Sequence, residues 1–287
     1  MQERKNIQLW QAYQWWYELS EMEKRHTLRI SSAEREVSQF SIEFEKEMIE
    51  SMLYERVPKL RGEGFKLVSK ADIAKEAMLD FARKIPCFEW ATSVKGLEAG
   101  SQVAKVLALI DDIAKFDNVS KLWRYAGYGL YDYWIDAKGK VVAPKAGWVQ
   151  NGEEREWQIV TPKPEWTLQK HADVKTKGFV SPFNTELKST VYIVVDMFVK
   201  HKPEPYRSYY DEVKDEYHKQ HVKETINGKV TYSDAHINKM AIRKVAKLWL
   251  QHLWLVWRTM EDLPVSMPYI HTVGGHTNYI SPPNFEM

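Results

Sequence analysis

Apolar residues recur at spacings of three and four along most of this 287-residue chain, and one stretch breaks the pattern. In residues 102–115 the helical spacing is kept by Val103, Val106, Leu107, Ile110 and Ile113. From Tyr131 to Pro164, aromatic residues mix with Val, Gly and Pro, and Lys138-Gly139-Lys140 marks a turn between short apolar runs. The sequence therefore predicts a mainly α protein with a small β insertion at residues 131–164.

Prolines, glycines and capping residues divide the helical part of the chain. Residues 7–56 have helical spacing, Pro58 and Gly62-Glu63-Gly64 interrupt it, and a second helix begins at Ser69 and ends before Pro86. Later helices are expected at residues 102–115, 120–125, 184–200, 203–223 and 233–260. We therefore expect a coiled-coil-like helical region at residues 1–85 that packs or dimerises, a helical domain at residues 86–262 and an irregular tail at residues 263–287.

Charge is segregated along the chain although the net charge is only +2. Residues 31–56 contain seven Glu against three basic residues, whereas residues 233–260 contain five basic residues against Asp234. On the predicted last helix, Lys239, Arg243 and Lys247 follow one another at intervals of four and form a basic stripe. Such a stripe binds backbone phosphates in a salt-dependent manner, or it is simply a solvated helix face.

A pair of glycines, Gly96 and Gly100, lies between two predicted helices. Paired glycines in such a turn expose backbone N–H groups at the start of the next helix, an arrangement that binds phosphate. Lys95 and Lys105 flank the turn and would neutralise the phosphate charge. The alternative is an ordinary helical hairpin with a glycine turn.

Several functional classes find no support in the sequence. Cys87 is the only cysteine, which excludes a disulfide scaffold and a paired-cysteine zinc site. The chain starts with charged residues and has no apolar run of about 18 residues, so we expect a cytoplasmic protein without membrane contact. Phosphate-binding loops, dinucleotide fingerprints and nucleophile elbows are also missing. We therefore predict no metal, no cofactor and no catalytic cluster.

The aromatic content is unusual, with 12 Trp and 15 Tyr, several of them beside Lys or Arg. Aromatic side chains near cations stack on unpaired bases, but they also fill cores and dimer interfaces. Composition alone favours packing. The candidates for base stacking are Trp123, Tyr128 and Trp134, with core packing favoured for Trp123.

A resemblance to a known family begins at Val94. The run VKGLEAGSQVAKVLALIDDIAKF at residues 94–116, with SKLWRYAGYG at 120–129, resembles the C-terminal domain of the bridge-RNA-guided insertion-sequence transposases. That domain has a glycine turn, an apolar helix with an acidic residue before Ile and a Phe, and a short helix ending in an Ala-Gly-Leu-like segment. NTELK at 184–188, PYRSYY at 205–210 and IRKVAKLWLQHLW at 242–254 are similar to its later helices in order. The resemblance covers residues 90–130 and 180–260.

The chain departs from that family in two places. Those transposases carry an N-terminal nuclease-like domain, whereas residues 1–85 here have helical spacing. They also carry a serine after the Ala-Gly-Leu segment, whereas residues 128–139 here contain none. The helical core is also similar to the Nop domain of box C/D guide-RNA proteins, and to the Tas proteins of tandem interspaced guide RNA systems, some of which lack a nuclease domain.

The resemblance implies a homodimeric guide-RNA-binding protein of an RNA-guided DNA-targeting system, prokaryotic or phage-encoded, without its own nuclease domain. Its partners would be a structured guide RNA and a target DNA. One alternative is a divergent transposase or recombinase of the same family, and a third class is a helical partner-binding protein that takes no nucleic acid. The residues expected to contact the RNA or DNA backbone are Lys95, Gly96, Gly100, Lys105, Lys121, Arg124, Lys138, Lys140, Asn184, Lys188, Lys239, Arg243 and Lys247.

Overall fold

A computed structural model describes residues 4–33, 46, 50–59, 64–151, 154–172, 174–221, 225–226, 229–265 and 279–285. The chain forms two compact units, the first from Met1–Phe88 with Val103–Asp112 and the second from Glu89–Gln102 with Ile113–Met287. Helices predominate, so the prediction of a mainly α protein is confirmed. Most of the expected acidic helix at residues 31–56 lies outside the described residues, as do residues 266–278 of the expected tail.

The helices are bounded by the capping residues and breakers of the sequence. They are α1 Ile7–Ala33, α2 Lys70–Ala82, α3 Phe88–Thr92, α4 Ser101–Ile110, a 3-10 turn Ile113–Lys115, α5 Val119–Tyr125, α6 Thr185–His201, α7 Tyr206–Gln220 and α8 Asp234–Met260. The side chains of Ser69, Asn184 and Ser233 accept hydrogen bonds from N–H groups in the first turns of α2, α6 and α8. Each cap satisfies a backbone donor that the helix itself leaves unpaired.

The first unit contains a β-hairpin whose first strand overlaps the end of the helix predicted over residues 7–56. Strand β1 Tyr54–Pro58 pairs antiparallel with β2 Phe65–Ser69, so the expected helix over residues 7–56 is wrong at its end. Gly64 closes the hairpin with a φ of 105°, and its carbonyl accepts a bond from the N–H of Lys59. Glycine adopts a positive φ at little cost because it has no Cβ, so Gly64, one of the glycines that the sequence marked as a break, serves in the strand connection.

The segment Val103–Asp112 belongs to the first unit, whereas the sequence placed it in the second domain. Its apolar residues are buried on nearly all sides, as expected for a helix enclosed by neighbours rather than lying on a surface. Its end is tied to the chain's start, because Asp111 Oδ1 accepts a hydrogen bond of 2.9 Å from the N–H of Asn6. Lys5 and Asp112 add an ion pair of 3.7 Å.

Helix α8 is the centre of the second unit. Every residue from Trp249 to Arg258 is buried, and α5, α6 and α7 pack against the helix. The indole N–H of Trp254 donates to the carbonyl of Phe116 at 2.6 Å. His252 is enclosed between the Tyr206 hydroxyl and the Ile280 carbonyl, both at 2.9 Å. The expected amphipathic basic helix is therefore a buried core helix over its last third.

The β insertion is larger than predicted. Its strands are β3 Tyr131–Ile135, β4 Val141–Pro144, β5 Ala146–Asn151, β6 Glu154–Ile159 and β7 Thr167–His171. Antiparallel pairing gives the order β4-β3-β7 in one sheet and joins β5 to β6 in a separate hairpin. The insertion ends at His171 rather than Pro164, because β7 pairs with β3 over its full length.

Two short elements complete the described part of the chain. Strands β8 Thr225–Ile226 and β9 Lys229–Val230 pair antiparallel. Residues 279–285 have no helix or strand, and the carbonyl of Pro283 accepts a 2.7 Å bond from the indole of Trp90. Within the described ranges, no helix has the length and apolar character needed to cross a membrane.

Candidate nucleic-acid interface

The glycine turn has its backbone donors already occupied. Gly96 and Gly100 have φ values of 96° and 72°. The Gly96 N–H, however, donates to Glu98 Oε2 at 2.8 Å, and the Gly100 N–H donates to the Leu97 carbonyl at 2.9 Å. Hydrogen bonds from the N–H groups of Glu98 and Gly96 lower the pKa of the Glu98 carboxyl group. A carboxylate therefore stands where the phosphate was expected, while Lys95 beside it is exposed.

Lys105, the second lysine expected at that turn, is half-buried in the first unit. Its ammonium lies 5.6 to 5.8 Å from the ring centroids of Tyr13, Trp16 and Tyr17 on α1. Burial lowers the pKa of Lys105. The aromatic rings of α1 hold this cation by cation–π attraction, so its neighbourhood is a packing site.

The basic stripe of α8 is divided by burial. Lys239 is exposed and Arg243 is half-buried. The Lys247 ammonium lies 4.2 Å from the Trp123 ring centroid, and burial lowers the pKa of Lys247. The indole N–H of Trp123 donates to the Lys247 carbonyl at 2.9 Å. Lys247 and Trp123 are therefore partners of each other through a cation–π contact and a hydrogen bond. Of the stripe, Lys239 and Arg243 at its N-terminal part remain accessible to solvent.

The other two expected stacking residues have little exposed surface. Tyr128 is buried, its hydroxyl donates to the Lys188 carbonyl at 3.0 Å, and burial raises its pKa. Trp134 is half-buried on β3, and its indole N–H is enclosed without a partner among the described residues. A buried ring offers no face for a base, so Tyr128 does not support the stacking prediction, whereas stacking at the half-buried Trp134 stays a prediction.

Two predicted residues on α5 differ in their partners. Lys121 is exposed and forms an ion pair of 2.8 Å with Asp117. Arg124 is also exposed, and its guanidinium carbon lies 5.7 Å from the Tyr131 ring centroid. Because an exposed ion pair is worth at most about 1 kcal/mol, Lys121 can exchange its partner at little cost.

Asn184 and Lys188 begin α6 as the sequence suggested. Asn184 Oδ1 accepts from the Leu187 N–H at 2.9 Å, and its amide donates to the Tyr125 hydroxyl at 3.2 Å. The Lys188 ammonium lies 4.3 Å from the Phe183 ring centroid. Asn184 is thus primarily a helix cap, while Lys188 sits on an aromatic face.

A concave cleft in the second unit collects aromatic rings that the sequence did not single out. It has a volume of about 660 Å³ and lies between the two β-structures and the segment that leads into α6. The rings that line it are Tyr125, Tyr131, Tyr133, Trp148, Trp157 and Phe183. Of the predicted site residues, the structure brings Arg124 and Asn184 into its lining.

Trp148 and Trp157 are the exposed rings of this cleft. They are directly opposite in the β5–β6 register, so their side chains project from the same face of the hairpin. The ring centroids lie 5.4 Å apart with an interplanar angle of 72°. Trp148 is 48% exposed and Trp157 is 53% exposed, although a ring of this size normally gains from burial.

Two cations that line the cleft are exposed, whereas its carboxylate is ion-paired. Arg124 and Lys145 are exposed cations of the lining, and Asp132 is its carboxylate. Asp132 forms a 2.8 Å ion pair with Lys170, and the hydrogen bond from Lys170 lowers the pKa of Asp132. The single lining carboxylate is therefore already neutralised, which leaves the cleft favourable for an anion.

Sequence reasoning missed this cleft because its parts are distant in the chain. The available signal was local: Trp148 and Trp157 flank a turn at a spacing that makes them opposite residues in a hairpin. The meeting of that hairpin with Arg124 and Phe183 depends on tertiary structure, which spacing does not reveal.

No cluster of three His, Cys, Asp or Glu residues that could hold a metal occurs in the ranges that the structure describes. Ser181 lines the cleft with its neighbours Pro182 and Phe183. In comparisons with known proteins, the chain matches no family model, no curated protein and no solved structure.

Proposed function

We propose that the protein is an RNA-binding protein that carries a structured guide RNA for an RNA-guided DNA-targeting system and has no nuclease domain of its own. The observation that carries the RNA-binding step is the aromatic cleft, with exposed Trp148 and Trp157 beside the cations Arg124 and Lys145. The sequence resemblance supplies the guide-RNA role.

The chemistry of the cleft fits nucleobases better than an apolar ligand. Each base has a flat π-face that stacks on indole and phenol rings, worth about 1 to 3 kcal/mol per base. The neighbouring guanidinium and ammonium groups neutralise the phosphates that accompany a base. An uncharged hydrophobic ligand would gain nothing from these cations.

Three further features belong to the same proposal. The second helical domain is Nop-like and the first is a coiled-coil-like dimerisation region of a cytoplasmic homodimer. The exposed Lys239 and half-buried Arg243 on α8 contact the RNA backbone. Target sequence is read by base pairing of the guide, whereas the protein contacts backbone and shape.

A binding measurement with matched tryptophan variants tests the proposal. Trp148→Ala with Trp157→Ala is compared with Trp15→Ala, since Trp15 is also about half exposed (47%) but lies on α1 of the first unit. Using RNA recovered from the natively purified protein, we expect the double variant to bind at least about tenfold more weakly, because one or two stacked bases are lost. Equal affinity for the double variant, Trp15→Ala and the wild type would overturn the proposal.

A further inference from the structure

The cleft continues into a groove across the β insertion. A narrow pocket of about 60 Å³ shares Tyr133, Pro144 and Ser181 with the cleft. A wider depression of about 320 Å³ shares Val174 and Lys175 with that pocket. The three concavities therefore follow one another from the tryptophan pair to the turn between β3 and β4, and we refer to them together as the β groove.

The wall of the β groove is held in place by hydrogen bonds. The Tyr133 hydroxyl lies 3.2 Å from the Val174 nitrogen and accepts its N–H, which ties the loop to β3. The Val180 N–H donates to the Trp148 carbonyl at 2.7 Å, and a β-bridge joins Val149 to Phe179. The loop at residues 174–183 is thus anchored to both β-structures, so the groove is preformed.

The far end of the groove presents three exposed lysines. Lys140, Lys175 and Lys177 line the depression, and none of them forms an ion pair within the described part of the chain. The one carboxylate of that lining, Asp136, accepts hydrogen bonds of 2.9 Å from the backbone N–H groups of Lys138 and Lys140. Asp136 therefore closes the turn, and among the described residues it forms no ion pair with the three exposed lysines.

We propose that the β groove binds an unpaired RNA segment in an extended conformation, with bases at Trp148 and Trp157 and phosphates at Lys140, Lys175 and Lys177. This inference rests on the proposed function and adds two things to it: the substrate class, which is unpaired RNA, and the path of the bound strand over the protein surface. From Tyr133 on β3 to Asp136, which follows the strand, the chain spans about 10 Å at about 3.3 Å per residue, so the two ends of the groove engage separate nucleotides of one strand.

Duplex RNA does not meet these requirements. Within a helix both faces of each base are covered by its neighbours, so only an unpaired base can stack on the tryptophan pair. The groove also combines exposed rings with cations along one path, as proteins that bind single strands do. An A-form helix would contact the lysines and leave the rings unused.

The salt dependence of RNA affinity should distinguish the tryptophan end of the β groove from its lysine end. For single strands, log K changes with log salt by about 0.7 per neutralised phosphate, so Lys140→Ala with Lys175→Ala and Lys177→Ala should reduce the slope by about 2. Trp148→Ala with Trp157→Ala should weaken binding at every salt concentration without changing the slope. A control of equal charge change is Lys59→Ala with Lys66→Ala and Lys219→Ala, all exposed and outside the groove.

The outcomes distinguish this inference from the function on which it rests. If the wild type binds no RNA, the proposed function fails. If the wild type binds RNA and the groove-lysine variant has the slope of the lysine control, the strand path is wrong while RNA binding stands. If duplex RNA competes as well as an unpaired oligonucleotide of the same sequence, the substrate class is wrong. We expect the unpaired RNA to compete at least about tenfold better.

Discussion

Helix α8 and the β insertion are built from the same kinds of residue but use them differently. In α8 and its neighbours, tryptophan, arginine and lysine bond to the chain itself, as Trp254 does with Phe116 and Lys247 with Trp123. In the β insertion, Trp148 and Trp157 are half exposed and Lys175 has no ion pair among the described residues. Aromatic residues beside cations therefore indicate a binding surface only where the fold leaves the rings exposed and the cations without an ion pair.

Tryptophan truncation should separate the two regions most strongly. We expect Trp254→Ala to reduce the free energy of unfolding by about 3 to 5 kcal/mol, because a fully buried ring and its hydrogen bond are lost. Trp157→Ala should cost less than about 1.5 kcal/mol, the worth of an aromatic pair. Denaturant unfolding of both variants gives the comparison, and similar losses would show that the hairpin belongs to the core.

Part of the pH dependence of the free energy of unfolding should come from His252 on α8. Burial lowers the pKa of His252 to about 4, whereas the unfolded value is near 6.5. Between pH 6.5 and pH 4 the His252 imidazole is therefore protonated in the unfolded chain but neutral in the folded protein. The free energy of unfolding is unaffected by this group above pH 6.5 and falls as the pH is lowered from 6.5 to 4. The loss is about 3 kcal/mol at about 1.4 kcal/mol per pKa unit.

A histidine variant isolates that contribution. His252→Asn should be less stable than the wild type at pH 7 but should lose less stability between pH 6.5 and pH 4. The exposed His171 on β7 supplies the matched histidine-to-asparagine control, His171→Asn. A wild-type pH profile in His252→Asn would refute the assignment to His252.

Arg258 in α8 and Arg124 at the cleft give the same comparison for charged side chains. Arg258 is buried and donates to the carbonyls of Pro264, Ile113 and Phe116 at 2.9, 3.3 and 3.1 Å, whereas Arg124 is exposed at the cleft. Arg258→Met should reduce the free energy of unfolding by about 2 kcal/mol, since these carbonyls lose a charged donor.

Arg124→Met should leave stability within about 0.5 kcal/mol of the wild type but weaken RNA binding. Unfolding and RNA-binding measurements on both variants test this division. A stable Arg258→Met variant with impaired RNA binding would reverse the assignment.

The smallest effect concerns lysines. Lys247→Met removes a cation–π contact worth about 0.5 to 1 kcal/mol of stability and should change RNA affinity less than twofold. Lys177→Met should have the opposite profile, with unchanged unfolding and weaker RNA binding. Equal RNA-binding losses in the two variants would extend the RNA contact on α8 from Lys239 and Arg243 to Lys247.

These contrasts show how far the sequence predicts the molecule. Helix starts at Ser69, Asn184 and Ser233 were predicted because capping is a local property of a few residues. The β1–β2 hairpin was missed because its strands are only five residues long and are recognised by their pairing across the turn, which spacing does not reveal. The full extent of the insertion depended on the pairing of β7 with β3, a contact between segments far apart in sequence.

The candidate site was less predictable than the fold. Arg124 and Lys140 are exposed and stay predicted contacts of the nucleic acid, whereas the ammonium of Lys247, predicted with them, lies over the Trp123 ring. Spacing places a residue on a helix face without saying whether another element covers that face. Burial likewise could not be read from spacing for the stacking candidates, since Tyr128 is buried whereas Trp148 and Trp157, which were not selected, are half exposed.

Ultraviolet cross-linking of the natively purified protein to its bound RNA, followed by mass spectrometry of the peptides, tests the central claim most directly. The account predicts cross-links within residues 146–159, which contain the tryptophan pair, and within residues 174–184, which form the groove wall. Cross-links confined to α8 or to the first unit, with both of these segments unlabelled, would contradict it.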